Sequence, residues 1–192
     1  MPLVGVLALQ GDVREHVSML QRVGADVVQV RRPDQLAGLA GLVMPGGEST
    51  TMAHLLDSSG LRAPLGTMLA DGFAAFGTCA GLILLSREVL DGRDDQWSYA
   101  TLDVAVRRNG YGRQIASFET VVDVKGVGDV SGVFIRSPKI ESWGDEVEVL
   151  AVHDHGDGEF PVLVRQGNAW GCSFHPELTD DDRLHRMFVE SL

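Results

Sequence analysis

Residues 74–85 read AAFGTCAGLILL, and this stretch indicates how the chain folds. The apolar residues 73–76, followed by Gly77, are typical of a short buried strand. Residues 80–90 are rich in Leu and Ile and predict a helix that packs against a sheet. Cys79 therefore falls in a strand-to-helix turn, within the pattern G-x-C-x-G, which is the thiol form of a nucleophile elbow.

Two physical effects favour a reactive Cys79 at this turn. Gly77 and Gly81 permit a tight turn and let neighbouring backbone come close. The N-terminus of the helix places partial positive charge and free N–H groups beside the sulfur, which favours the nucleophilic thiolate. A buried structural cysteine is an equal alternative on this stretch alone, since free cysteine is among the most buried residue types.

The first half of the chain alternates strands and helices around this turn. Strands are predicted at 3–9, 26–30 and 41–44, and helices at 50–57 and 63–71. Asp12 is a candidate cap for a helix after the first strand. This alternation predicts a parallel sheet covered on both faces, with a ligand at the carboxyl ends of the strands.

The second half consists mainly of short β-like runs separated by Gly, Asn and Asp turns. These runs lie at 101–106, 117–124, 130–135, 147–152, 162–165 and 169–174. Thr179 is predicted to cap a last helix whose first turn holds three aspartates at 180–182. Because no linker, repeat or low-complexity segment interrupts the chain, residues 1–192 are interpreted as one α/β domain.

Composition excludes several classes of function. The net charge of −11 argues against a nucleic-acid or anionic-membrane surface, because phosphates repel such a chain. Two cysteines are too few for a disulfide scaffold. The N-terminal residues carry no signal-peptide pattern, and no apolar run reaches the length of a membrane span. A reducing cytoplasm is therefore the expected setting, and it would keep a catalytic thiol usable.

The stretch GCSFHPEL at 171–178 supplies partners for a catalytic thiol. His175 is predicted at the end of a strand, where Pro176 stops further pairing. Glu177 follows two residues later, and its carboxylate could hold the imidazole through the second ring nitrogen. These residues suggest a Cys79–His175–Glu177 relay of nucleophile, general base and acid, and orienting carboxylate. Cys172 is interpreted as a core thiol.

The stretch PGGEST at 45–50 contains candidate groups for stabilising negative charge on the substrate oxygen. The Gly46–Gly47 backbone is free of side chains, so the Gly47 N–H, together with the Ala80 N–H, could form an oxyanion hole. Glu48 in the same turn is a candidate for binding a substrate ammonium group. A plain glycine turn before a helix, capped by Ser49 or Thr50, is the structural alternative.

Several stretches together resemble one family, the class I or triad glutamine amidotransferases, and within it the glutaminase subunits of pyridoxal 5′-phosphate synthases. G-x-C-x-G with H-P-E identifies only the superfamily, whereas the combination of LQGDVREH, GGESTTM, RNGYGRQ and FIRSP points to these subunits. The matching stretches run nearly from end to end, at 5–16, 31–36, 42–52, 76–85, 108–119, 132–138 and 171–181. The resemblance implies a three-layer, flavodoxin-like α/β fold.

The resemblance also implies roles for individual residues. Cys79, His175 and Glu177 match the catalytic triad, and Gln10 falls in the N-terminal loop near the partner synthase. The residues that match glutamine contacts are Gly47, Glu48, Ser49, Arg108, Ile135 and Arg136. The implied partners are L-glutamine and a synthase subunit in a large hetero-oligomer that makes vitamin B6. No cofactor is expected. Residues 91–99 and 153–159 depart from the usual family pattern.

Alternative interpretations concern metal binding and catalysis. The acidic turn at 153–159, HDHGDGE, contains possible metal ligands but has no second ligand group at a defined spacing, so a solvated hairpin turn is favoured and no metal is expected. His16, His54 and His185 lie in helical patterns and are interpreted as structural or surface residues. A non-catalytic binding module and a Cys-elbow hydrolase or isomerase acting alone are the other function classes. The intact triad disfavours a non-catalytic binding module. Glu48, Arg108 and Arg136 favour an amino-acid substrate, which disfavours a hydrolase or isomerase acting alone.

Overall fold

The computed structural model describes residues 1–110, 117–156 and 158–192. Its helices are α1 (Val13–Arg22), α2 (Ser49–Ser58), α3 (Arg62–Ala70), α4 (Ala80–Leu85) and α5 (Arg183–Glu190). Its strands are β1 (Leu3–Leu7), β2 (Asp26–Val30), β3 (Gly41–Met44), β4 (Ala74–Thr78), β5 (Ser86–Val89), β6 (Leu102–Arg107), β7 (Ser117–Val124), β8 (Gly128–Ile135), β9 (Lys139–Trp143), β10 (Glu148–Asp154), β11 (Glu159–Gln166) and β12 (Ala169–Cys172). Among these residues, two 3₁₀ turns cover Pro33–Leu36 and Pro176–Leu178.

A seven-stranded sheet forms the centre of the fold, in the order β10-β11-β12-β4-β3-β1-β2. Pairing is parallel from β12 through β2 and antiparallel between β10, β11 and β12. The prediction of a mostly parallel sheet is therefore confirmed. Two smaller sheets, β5-β6-β9 and the β7-β8 hairpin, complete the strand pairing among the described residues.

Helices cover both faces of the central sheet, as alternating strands and helices predict. On one face, buried side chains of α2, α3 and α4 pack on the strands, with Met52 and Leu82 at 0% exposure. On the other face, Leu20 of α1 and Phe188 of α5 pack against Phe76 and Trp170. Successive residues of β4, Ala75 and Phe76, point into opposite layers, so both faces of this strand are buried. The three-layer prediction is confirmed.

The helix predicted over 80–90 is only half as long in the structure. It ends at Leu85, and Ser86 adopts an extended conformation with its hydroxyl donating to the Ile83 carbonyl. Residues 86–89 then pair in parallel with β6 as strand β5. An apolar run cannot by itself distinguish a buried helix from a buried strand, and here the pairing with β6 decided the outcome.

Two predicted helix caps also differ. Asp12 occupies the N-cap position of α1, but its side chain makes no bond to that helix. Helix α5 begins only at Arg183, and Thr179 instead closes the preceding turn, because its hydroxyl accepts from the Asp181 N–H and donates to the Pro176 carbonyl. Among the described residues, no helix has both the length and the apolar character needed to cross a membrane.

Candidate active site

Cys79 lies in a strained turn between β4 and α4, at the carboxyl ends of the central strands. Its φ is 49°, a left-handed value that costs a residue with a Cβ about 1–3 kcal/mol. Its N–H donates to the Cys172 carbonyl at 2.8 Å, which ties the turn to β12. A Cβ on Gly81 would overlap the Met44 carbonyl, and one on Gly77 would overlap the backbone of Gly81. Both glycines of the G-x-C-x-G pattern are therefore required by close backbone packing.

The structure brings Cys79, His175 and Glu177 together in one chain of contacts. Cys79 and His175 line the same cleft, the Cys79 thiol contributes to raising the pKa of His175, and Nδ1 of His175 lies 2.8 Å from Oε1 of Glu177. All three residues are buried, and Cys79 is 7% exposed. The His175 ring packs directly on Gly46, where any Cβ would collide with it.

His175 is held by a loop, whereas the sequence predicted a strand reaching residue 174. β12 ends at Cys172, and the His175 N–H donates to the Val133 carbonyl of β8 at 2.8 Å. Pro176 then opens the 3₁₀ turn that carries Glu177 back to the imidazole. The strand is therefore shorter than predicted, and His175 lies three residues beyond its last residue.

Electrostatics at the triad favour a charged imidazole. Burial disfavours the imidazolium, but the neighbouring Asp12, Cys79 and Glu177 outweigh this cost and raise the pKa of His175 well above its ordinary value. For Glu177, burial likewise opposes the charge, and the nearby His16 and His175 lower the pKa far below the usual range. The carboxylate is therefore ionised, and the imidazole can donate a proton from each ring nitrogen.

Asp12 is a second carboxylate at His175 that sequence reasoning missed. Its Oδ2 lies 3.3 Å from Nδ1 of His175, and its side chain is 35% exposed at the cleft. An acidic residue just after the first predicted strand of a parallel sheet was the available signal, because strand ends converge at one edge. Asp12, His175 and Glu177 could together ligate a metal ion. Both carboxylates lie within 3.3 Å of Nδ1 of His175, so their positions are explained by interaction with the imidazole and require no metal ion.

The PGGEST turn lies beside the triad, and its cap differs from the two candidates predicted. Glu48 caps α2, because its carboxylate accepts from the N–H groups of Thr50 and Thr51. Burial works against the charge of Glu48, but a bond from the Thr51 hydroxyl, these N–H bonds and the charge of Arg108 lower its pKa overall. The carboxylate is thus ionised, as binding of an ammonium group would require.

Gln10 contacts this turn directly. Its Oε1 accepts from the Glu48 N–H at 2.8 Å, and a Cβ on Gly47 would collide with the same amide. Gly47 has a φ of 153°, a value that side chains rarely adopt. Ala80, the other predicted oxyanion donor, is the first residue of α4, so its N–H has no acceptor within that helix.

A cleft of about 490 Å³ opens above the triad, within the range of small-molecule sites. Its lining includes Asp12 and all six predicted substrate contacts, which are Gly47, Glu48, Ser49, Arg108, Ile135 and Arg136. The Arg108 guanidinium donates to the Thr50 hydroxyl at 3.0 Å, on the same side as Glu48. A cation and an anion thus flank the approach to Cys79. Arg136 has a φ of 46° at the end of β8.

Cys172 lies in the core, as the sequence indicated. It is fully buried, and its thiol donates to the Phe174 carbonyl at 3.3 Å. Burial raises the pKa of this thiol well above its ordinary value, so it stays protonated.

Two stretches singled out in the sequence fall partly outside the described residues. In RNGYGRQ (108–114) residues 111–114 lie outside them, and in the acidic turn (153–159) residue 157 does. In the described part of that turn, the Asp154 carboxylate accepts from the N–H groups of Gly156 and Gly158. These bonds are typical of a hairpin turn.

Comparison with known proteins identifies the family of the chain. The model of the SNO glutamine amidotransferase family matches residues 6–192. A Salinispora tropica protein, named pyridoxal 5′-phosphate synthase subunit PdxT, is 53% identical over 98% of this chain and 96% of its own length. The protein of that name from Parafrankia sp. is 56% identical over 98% and 92%. A crystal structure described as a glutamine amidotransferase aligns with a TM-score of 0.90 and 47% identity, over 98% of this chain and 97% of the other.

Proposed function

The chain belongs to the SNO glutamine amidotransferase family, and on this premise we propose that it is the glutaminase subunit of a pyridoxal 5′-phosphate synthase. It would hydrolyse L-glutamine to L-glutamate and ammonia and pass the ammonia to a synthase subunit. The observation that carries the proposal is that Cys79 and a His175–Glu177 pair, all buried, meet at a cleft flanked by opposite charges. We treat residues 1–192 as one glutaminase domain acting in the cytoplasm.

The geometry supports a covalent mechanism. The Cys79 thiolate attacks the side-chain carboxamide carbon of glutamine, and the oxygen takes up negative charge near Gly47 and Ala80. His175 then protonates the departing nitrogen, which leaves as ammonia, and a glutamyl thioester remains on Cys79. Water, deprotonated by His175, hydrolyses the thioester, releases glutamate and restores the thiolate.

The carboxylates keep the imidazole in the right form for these steps. Glu177 accepts from Nδ1 of His175, and Asp12 lies 3.3 Å from the same nitrogen, which leaves Nε2 for proton transfer with the sulfur. The second function class, a non-catalytic binding module, would not require this alignment of three reactive side chains.

A glutaminase assay tests the proposed function. The purified chain is incubated with L-glutamine, with and without a synthase subunit from a pyridoxal 5′-phosphate synthase, and glutamate and ammonia are measured. Equal amounts of both products are expected. Absence of both products even with the synthase subunit would overturn the proposal.

Arg108 is expected to contribute to glutamine binding more than to chemistry. Its planar guanidinium suits the α-carboxylate, and Glu48 suits the α-ammonium. Arg108→Ala should raise KM for glutamine about 10- to 100-fold, the loss of one charged hydrogen bond, with kcat little changed. Steady-state kinetics with the synthase subunit present measure both constants.

Arg107→Ala is the matched control for that measurement. The Arg107 guanidinium pairs with Glu141 at 2.6 Å rather than lining the cleft. Its removal should leave KM unchanged. A KM that is unchanged in Arg108→Ala, or raised equally in both variants, would contradict the binding role.

A further inference from the structure

Two buried histidines lie directly behind the catalytic carboxylate. His16 of α1 and His185 of α5 are both 0% exposed, and Nδ1 of His16 lies 2.9 Å from Nε2 of His185. The other nitrogen of His16, Nε2, lies 3.1 Å from the Thr78 hydroxyl and 3.5 Å from Oε1 of Glu177. The pair therefore links two helices to the end of β4 and to the triad.

Glu177 needs such a neighbour, because a buried carboxylate without donors is costly. Oε1 of Glu177 faces both His175 and His16, whereas Oε2 has no hydrogen-bond partner among the described residues. The orientation of the carboxylate thus depends on the two imidazoles that converge on one oxygen.

The hydrogen bonds of the pair favour one tautomer of His16. If His16 carried its proton on Nδ1, its Nε2 lone pair would face the Glu177 oxygen, and the remaining N–H of His185 would be buried with no acceptor among the described residues. If His185 donates from Nε2 to His16, then His16 donates from Nε2 toward Thr78 and Glu177. Only a bare acceptor nitrogen of His185 is then unpaired, and buried unpaired acceptors are less rare than buried unpaired N–H groups.

We propose that His16 is a positioning residue of the triad, which donates its Nε2–H toward Glu177 and is fixed in that tautomer by His185. The inference rests on the proposed glutaminase function. In this arrangement His185 donates to His16, and His16 donates toward Glu177 and Thr78. His175 donates to Glu177 from the other side. Holding the carboxylate in this way keeps the imidazole of His175 aligned with Cys79.

Two amide substitutions separate this role from simple packing. His16→Gln places an amide nitrogen near the position of Nε2, within reach of Glu177, whereas the shorter His16→Asn can replace only Nδ1. With the synthase subunit present, His16→Asn should lower kcat about 10- to 100-fold, as loss of outer hydrogen-bond partners commonly does, with KM unchanged. His16→Gln should recover most of that loss. Equal kcat values for the two variants, corrected for the folded fraction, would overturn the proposal.

Proton NMR spectroscopy tests the His16–Glu177 contact without catalytic turnover. The His175 Nδ1–H shared with Glu177 should give a strongly downfield proton resonance in the wild type and in His16→Gln. That resonance should shift or disappear in His16→Asn. If His16 were only structural, the thermal midpoint would fall while the resonance of the folded protein stayed in place. Because no turnover is needed, this measurement tests the contact even if no glutamate is produced.

Two further variants complete the design. His185→Phe leaves His16 in place but removes the nitrogen that fixes its tautomer, and it should lower kcat by a smaller factor. An unchanged kcat in His185→Phe would contradict the role of His185 and serves as the second test if His16→Asn does not fold. His54→Gln is the control, since His54 is exposed on α2, pairs with Asp95 and does not line the cleft. Its kcat should equal that of the wild type.

Discussion

Replacing Cys79 with Ala is expected to abolish glutamate release. In the proposed mechanism the thiolate forms the covalent bond to substrate, and Cys79 is the only thiol among the described residues that line the cleft with His175. Loss of a triad nucleophile costs on the order of 10⁴-fold or more in kcat. The measurement is the glutaminase rate with the synthase subunit present.

The fold should survive this substitution. Cys79 and Ala both carry a Cβ, so the cost of the left-handed backbone is unchanged. The N–H that ties the turn to Cys172 is also retained. Circular dichroism and the thermal midpoint should therefore match those of the wild type.

Cys172→Ala is the matched control for the thiol. Because Cys172 is fully buried in the core, its truncation should lower the thermal midpoint but keep kcat. An electrophilic glutamine analogue should add one equivalent of mass to the wild type and to Cys172→Ala, and none to Cys79→Ala. Equal loss of activity in both variants, or labelling of Cys79→Ala, would refute the assignment.

The second large effect is expected when a synthase subunit docks. Free ammonia is mostly ammonium near neutral pH and then a poor nucleophile, so hydrolysis without a second active site wastes glutamine. We expect the isolated chain to have a low glutaminase rate. Docking should raise kcat about a hundredfold or more, which is the factor typically lost when one oxyanion donor is removed.

The Gly46–Gly47 peptide is the structural basis of this expectation. Its carbonyl accepts from the Asp12 N–H across a long 3.3 Å, and the Gln10 amide lies against Gly47 while accepting from the Glu48 N–H. The glycines allow the peptide to turn without side-chain clashes. A partner that touches the segment around Gln10 can therefore change where the Gly47 N–H points.

The test compares glutaminase rates with and without the synthase subunit. Gln10→Arg should remove most of the activation, because a bulky cation disturbs both the docking segment and the turn. Ser58→Arg is the control, since it adds the same charge at the exposed C-terminal end of α2, at the opposite edge of the sheet from the strand ends. A full rate for the isolated chain, indifferent to the partner, would refute this mechanism even if the triad assignment held.

Local patterns in the sequence were sufficient for the main architecture. The strands over 26–30 and 41–44 match their predicted bounds, because apolar runs bounded by turn residues specify buried parallel strands. The Cys79 elbow was also predictable, since both glycines and the following apolar helix lie within a few residues of it. The stretch at 171–178 likewise indicated a histidine and a carboxylate just past a strand.

Tertiary structure alone decided the features that depend on distant residues. Strand β5 exists because residues 86–89 meet β6, and β9, which was not predicted, pairs with the other edge of that strand. Asp12 faces His175 across 163 positions of sequence, and His16 faces His185 across 169, so no local pattern could relate them. Periodicity reports which face of an element is buried, but the partner that a buried polar group meets is set only when the elements pack.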